Sequence, residues 1–268
     1  MGDKMRDIGS KKGIFLIIVL AVILFLLLAV GIFKDKMMVK QNADDYNKWC
    51  ETKKENTSSD SKNTNKQSSY ATETVVQDIS DKLHNKQKIR VLVLGDGLAL
   101  SVGRTSSAGI WQEGLKSAIK SYYGSDVEMI SLAKNRTSAK DGLDIATKNN
   151  LKGYDLVITC FGHNDNMNKS SLEEFETSYI GIINKIREAN NPVSIIAIVP
   201  NTLDKNNSYR DKILKIASNK QILVSDMKQA FINYGGSERA LLNDNVPNDT
   251  GYQIYTKTLF DTIKTIEK

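Results

Sequence analysis

The 268 residues contain two histidines, His84 and His163, and two cysteines, Cys50 and Cys160, so few side chains could serve as a base, a thiol nucleophile or a soft metal ligand. Two isolated histidines and no Cys-x-x-Cys form no ligand set, and no metal or other cofactor is expected. Cys160 closes an apolar run and reads as a small buried hydrophobe. Gly95-Asp96-Gly97 followed by Leu98 lacks the third glycine and the Lys-Ser/Thr of a phosphate loop. Ala99-Leu-Ser101-Val-Gly103 looks like a loosened G-x-S-x-G elbow, but the strand before it ends at Leu94, too early for a tight strand-to-helix turn. A Ser101–His163 pair would have to be made by geometry, and a loop or core role is the default for His163.

The surrounding pattern alternates strand and helix. Ile89–Leu94 reads as a strand buried on both faces, and Val127–Leu132, Asp155–Phe161, Val193–Val199 and Ile222–Ser225 read as further strands. Between them, Trp111, Leu115, Ala118 and Ile119 share one helical face, as do Leu172, Phe175, Tyr179, Ile182, Ile183 and Ile186. Ser171 and Glu174 predict a capping box for the second of these, and Asn190-Asn191-Pro192 marks its end. Tyr209–Ala217 and Thr250–Ile266 read as further helices, the last capped by Asp249. The expected fold is α/β: a three-layer, doubly wound parallel sheet of about five strands, with ligands outside the carboxyl ends of the strands. The loops after Leu94, Leu132, Phe161, Val199 and Ser225 are then the ones to inspect.

Three of those places carry ordered blocks. Val91-Leu-Val-Leu-Gly-Asp-Gly-Leu98 resembles the strand and G-D-S-L of the SGNH (GDSL-type) hydrolases, and Gly162-His163-Asn164-Asp165 resembles their G-x-N-D. Asp244-Asn-Val-Pro-Asn-Asp-Thr-Gly-Tyr252 is similar to their D-x-x-H-P-n-x-x-G-Y ahead of a final helix. The resemblance covers about Lys88 to Lys268. It implies a serine nucleophile, a histidine base with an aspartate three residues before it, and an oxyanion hole made by the serine amide, a second-block glycine and the third-block asparagine.

The chain departs from that pattern at most of these positions. Gly97 stands at the nucleophile position, and Pro247 directly follows Val246, so the histidine between them is deleted. In Ser131-Leu-Ala-Lys-Asn-Arg-Thr-Ser138, Arg136 or a gap stands where glycine is expected. Asn164 and Asp244 remain without the partners they serve; Asn164 is as well suited to holding its own loop as to facing a ligand, and Asp244 reads first as a turn residue. No catalytic set is therefore intact at Gly97, Asn164 and Asp244. The residues expected to line the cleft are Asp96, Gly97, Asn135, Arg136 and Asn164.

The amino-terminal third is organised differently. Residues 13–33 are apolar or glycine throughout, long enough to span a hydrocarbon core, and no small-residue cleavage site follows, so an uncleaved anchor is preferred to a signal peptide. Basic residues flank the span evenly, but a twelve-residue basic tail resists export better than a long domain does, which puts residues 1–12 inside and the rest outside the cell membrane. Residues 34–87 read as a linker, flexible over Asn42–Thr72, where aliphatic residues are almost absent, with weak helical character near Val75, Val76, Ile79 and Leu83, and residues 88–268 as the domain. Cys50 lies in that linker and could cross-link two chains. The net charge of +6 and pI near 9.0 are modest, and no basic run interleaved with aromatics points to nucleic acid. The first expectation is a membrane-tethered binding or accessory protein for an acylated envelope glycan; the second is an active carbohydrate esterase or O-acetyltransferase using other residues.

Overall fold

The computed structural model describes residues 78–267. The expected tail 1–12, span 13–33, Cys50 and most of the linker lie outside the described residues. Among the described residues no helix is long and apolar enough to cross a membrane.

Five strands form one parallel sheet in the order β2-β1-β3-β4-β5: β1 (Ile89–Gly95), β2 (Val127–Ser131), β3 (Leu156–Cys160), β4 (Ser194–Val199) and β5 (Leu223–Asp226). All five match the strands expected from the apolar runs to within two residues at either end. β1 and β3 are buried along almost their whole length because helices cover both faces of the sheet.

Successive strand residues point to opposite layers. Leu92, Leu94, Val157, Ile195, Ala197 and Val199 join one buried cluster with α3 (Ala139–Lys148), α5 (Leu172–Ala189) and α6 (Ser208–Asn219). The alternate residues, such as Val91, Val93, Ile158 and Ile196, are also fully buried. They face the other layer, where α2 (Trp111–Tyr123) packs on α8 (Asp249–Lys264) and α7 (Met227–Ile232) lies against α8. Each such aliphatic side chain contributes about 1.5–3 kcal/mol by leaving water.

Several helices depart from the sequence expectation, two of them for visible reasons. α3 was not anticipated, because its buried face is Ala139, Gly142 and Ala146, small residues that make a weak apolar stripe. The small face lets α3 sit close to the sheet: a Cβ on Gly142 would lie 2.3 Å from Phe161 Cζ. α1 (Ile79–His84) falls inside the stretch assigned to the linker, yet Ile79 and Leu83 are buried and Lys82 pairs with Asp155 at 2.6 Å. The folded part therefore begins before Lys88.

At α5 only half of the expected capping box forms. Ser171 Oγ accepts from Glu174 N, while the Glu174 carboxylate takes Lys140 Nζ at 2.6 Å instead.

Candidate functional site

In this strand order the chain reverses direction of winding between β1 and β3, and the crevice outside their carboxyl ends is where such folds take ligands. The first and third blocks leave the sheet there side by side, with Gly95 opposite Cys160 in the ladder. Gly95 is required by that closeness: a Cβ on it would meet Cys160 O and Ala99 Cβ at 2.7 Å. Beyond β1 the chain turns at once, Asp96 N donating to Cys160 O, Leu98 N to Asp96 Oδ1, and Leu100 N and Val102 N to Gly97 O.

The second block is drawn over the end of β1. Lys134 N and Thr137 Oγ1 both donate to Gly95 O, at 3.0 and 3.1 Å. This sets Asn135 against Gly97, its Oδ1 2.6 Å from the point a Cβ would occupy there. Arg136 has φ 61°, the left-handed backbone that favours glycine. A glycine at this position would adopt the same backbone without strain.

Asp165 joins the second block to the third. Its Oδ1 accepts from Ala139 N at 2.9 Å and its Oδ2 from Gly162 N at 3.1 Å, so one carboxylate caps α3 and closes the turn of α4 (His163–Met167). Sequence reasoning had assigned Asp165 no task, although its place in the G-x-N-D block was a signal. Asn164 is buried, and its backbone and side-chain amides lie against Asp96, favouring the charged carboxylate. Asp96 Oδ2 nevertheless completes no hydrogen bond of good geometry. Burial outweighs those amides and pushes the Asp96 carboxyl up to about 7. Cys160 is buried as expected, and burial raises its thiol.

Ser101 and His163 are not brought together by any hydrogen bond. Ser101 has φ 56° and is buried, its Oγ accepting from Trp111 N at the start of α2. His163 Nδ1 is engaged by Thr202 Oγ1 at 3.0 Å, and burial lowers its pKa, leaving a neutral ring at neutral pH. His84 lies on α1, before β1, and bonds Ser80 O.

The last block is a two-stranded hairpin, β6 (Leu242–Asn243) with β7 (Val246–Pro247), closed by Asp244 and Asn245. Asp244 is exposed with φ 54°, so the turn role expected of it is the one it has. With no residue between Val246 and Pro247, the hairpin lies directly on the first block: a Cβ on Gly103 would be 2.4 Å from Val246 Cγ2. Asn243 Nδ2 donates to Gly103 O, and Tyr252 Oη to Val102 O at 2.6 Å.

The cap of α8 is Asn248, whose Oδ1 accepts from Gly251 N, and not Asp249 as expected. One residue further on, Asp249 turns instead to the first block and accepts from the amides and hydroxyls of Thr105 and Ser106. This clamp was hidden because an aspartate before a helix reads first as a cap.

The assembled site therefore offers hydrogen-bond donors around Gly97 and Asn164, with neither a hydroxyl at Gly97 nor a histidine in the last block. Among the described residues no group of three or more His, Cys, Asp or Glu is arranged to hold a metal ion. Beside the third block, Asp204, Asn207, Lys228, Ile232 and Glu238 line a hollow of about 630 Å³. Asn207 Nδ2 ties its wall to Asn166 at 2.9 Å.

No curated protein sequence matches the chain. Among solved structures, a two-domain esterase active on acetylated mannans superposes with a TM-score of 0.60 at 16% identity, over 71% of this chain and 52% of that one. The chain thus spans about half of that esterase. A lipase/acylhydrolase from Enterococcus faecalis gives 0.53 at 21% identity, over 67% and 97%, and a lipase from a goat rumen metagenome 0.53 at 17%, over 65% and 97%. At these identities the likeness is one of fold. Residues 93–254, well over half of the chain, match the GDSL-like Lipase/Acylhydrolase family as a family, and the chain belongs to it.

Proposed function

We propose that this chain is a membrane-tethered, extracytoplasmic member of its family that has kept the cleft and lost hydrolysis, and that it binds acylated envelope glycans as an accessory protein. The observation that carries the reading is Gly97. Attack on an ester carbonyl needs a nucleophile activated by a base, and Gly97 supplies no side chain while the last block supplies no histidine. Nothing nearby substitutes, since Ser101 Oγ faces the Trp111 amide and His163 is held by Thr202.

Binding is supported by what remains. The amides of Gly97 and Arg136 and the carboxamide of Asn164 are the groups with which this family would hold a carbonyl oxygen, and a polar hollow opens beside the third block. The glycan part of the reading draws on the neighbour active on acetylated mannans. The tether draws on the uncharged run 13–33.

Calorimetric titration of the full chain with acetylated and deacetylated manno-oligosaccharides tests the reading. Saturable binding that needs the acetyl groups, with no acetate released, is the expected result. Equal indifference to both sugars, or release of acetate, would refute it. For the tether, protease added to intact cells should remove the domain and leave a small membrane stub, whereas protection of the whole chain would reverse the topology.

A further inference from the structure

The hollow beside the third block lies at the carboxyl ends of β4 and β5, the same end of the sheet as the cleft. Asp204, Asn206 and Asn207 line it from the loop between β4 and α6, Lys228 and Ile232 from α7, and Glu238 from the turn that follows. Contacts within the chain hold these walls in place. Asn207 is engaged at both ends of its carboxamide, Oδ1 accepting from Tyr209 N and Nδ2 donating to Asn166 Oδ1 at 2.9 Å, which ties the hollow to the third block. Thr202, two residues before Asp204, is held by His163 of that block. On the other side Arg210 forms a forked ion pair with Asp226, whose Oδ1 also accepts from Gln229 N and caps α7. Walls fixed in advance spare a ligand the cost of ordering them.

The polar groups inside are only partly used. Lys228 Nζ lies 2.9 Å from Asp204 Oδ1 and 2.7 Å from Glu238 Oε1. An ammonium has three donors, so one remains, and each carboxylate keeps a second oxygen with no hydrogen bond among the described residues. Asp204 and Glu238 are balanced by Lys205 and Lys228 in the lining, so the hollow favours neither an anion nor a cation. Ile232, 42% exposed, adds an apolar surface beside these groups. Spare acceptors, a spare donor and an apolar face without net charge match a neutral polyhydroxylated ring. Its hydroxyls can donate to the carboxylates and accept from Lys228 while its C–H face lies on Ile232. The volume, about 630 Å³, is within the range of ligand sites.

From the end of β1, which Gly97 follows, to the end of β5 is three strand spacings, about 14 Å. One sugar ring does not span that distance, and an oligosaccharide does. We propose that the hollow is a second subsite, holding a neutral sugar unit of a ligand whose acylated unit sits in the cleft, so that the protein takes an oligosaccharide lying across the ends of β1, β3, β4 and β5. This rests on the reading of the cleft as a glycan-binding site and adds the length of the ligand and the place of its further units.

The test is calorimetric titration of the full chain with acetylated mannose and with acetylated mannopentaose. The pentaose should bind about tenfold or more tighter, as added hydrogen bonds to charged groups do, and Ile232→Asp combined with Glu238→Gln should erase most of that advantage. Lys228 keeps Asp204 in the double variant, and a melting curve checks its fold; were it destabilised, Ile232→Asp alone, at an exposed position, carries the test. Equal affinity for the two sugars, or an advantage that the variants leave untouched, would overturn the second subsite while the cleft reading stands. Pentaose binding that the variants weaken but that is indifferent to acetyl groups would support the hollow and refute the acyl reading of the cleft. Binding of neither sugar would refute both.

Discussion

Asn135 Oδ1 lies 2.6 Å from the point at which a Cβ on Gly97 would stand, so the space of the missing nucleophile is taken by a neighbouring carboxamide. Val102 Cγ2 flanks the same point at 3.2 Å. Asn135 is exposed and its side chain can swing away, so Gly97→Ser should fold, with a stability loss of about 1 kcal/mol or less. The variant should show no ester turnover, because a serine without a base is a poor nucleophile. Paired melting curves and an acetyl-ester assay check both statements.

Arg136 occupies a left-handed backbone at φ 61°. Arg136→Gly should therefore stabilise the domain by about 1 kcal/mol, and Arg136→Val should destabilise it by as much or more. Chemical denaturation of the two variants in parallel decides; a loss with glycine would mean that the Arg136 side chain holds the turn.

Asp165 carries two backbone amides from two different blocks. Asp165→Ala strands both in a buried setting, and a loss of about 2–4 kcal/mol is expected from urea unfolding. An unchanged midpoint would show that neither contact matters. Asp249→Ala, by contrast, frees the Thr105–Ser106 loop at the surface, and limited proteolysis should gain a cut there with little change in the melting temperature.

Stability should depend on pH with a defined sign. The Asp96 carboxyl is raised from 3.8 to about 7, so in that window the folded chain keeps a proton that the unfolded chain releases. Stability then falls as pH rises from about 4 to 7, and the raised Asp165 carboxyl adds to the same slope. His163 acts oppositely: its pKa is lowered from 6.5, so stability falls as pH drops through that value. Asp96→Asn should flatten the fall on the alkaline side, read from melting temperatures across pH 4–8. A wild-type curve that climbs steadily from pH 5 to 7 would contradict this assignment.

The sheet was legible because its central strands β1, β3 and β4 are largely β-branched or leucine runs, and family blocks follow β1 and β3 and include β7. α3 was not legible, since Ala139, Gly142 and Ala146 pack by being small and leave little hydrophobic periodicity. The departures at Gly97, Arg136 and Val246–Pro247 could be read as missing parts. What replaced them could not, because Asn135 reaches Gly97 across 38 positions of chain and Asp249 reaches Thr105 across 144. Such contacts are set by the fold as a whole and leave no local pattern. Asp249 shows the reverse error: local pattern made it a cap, and the tertiary contact claimed it for the first block.

Whether the cleft binds without cleaving is decided by hydrolysis of a chromogenic acetyl ester by the unmodified full chain. The expected rate is no different from that of buffer, in the wild type and in Ser101→Ala alike. Saturable turnover by the wild type that Ser101→Ala abolishes would contradict it and make this chain an esterase working from a serine outside the family's usual position.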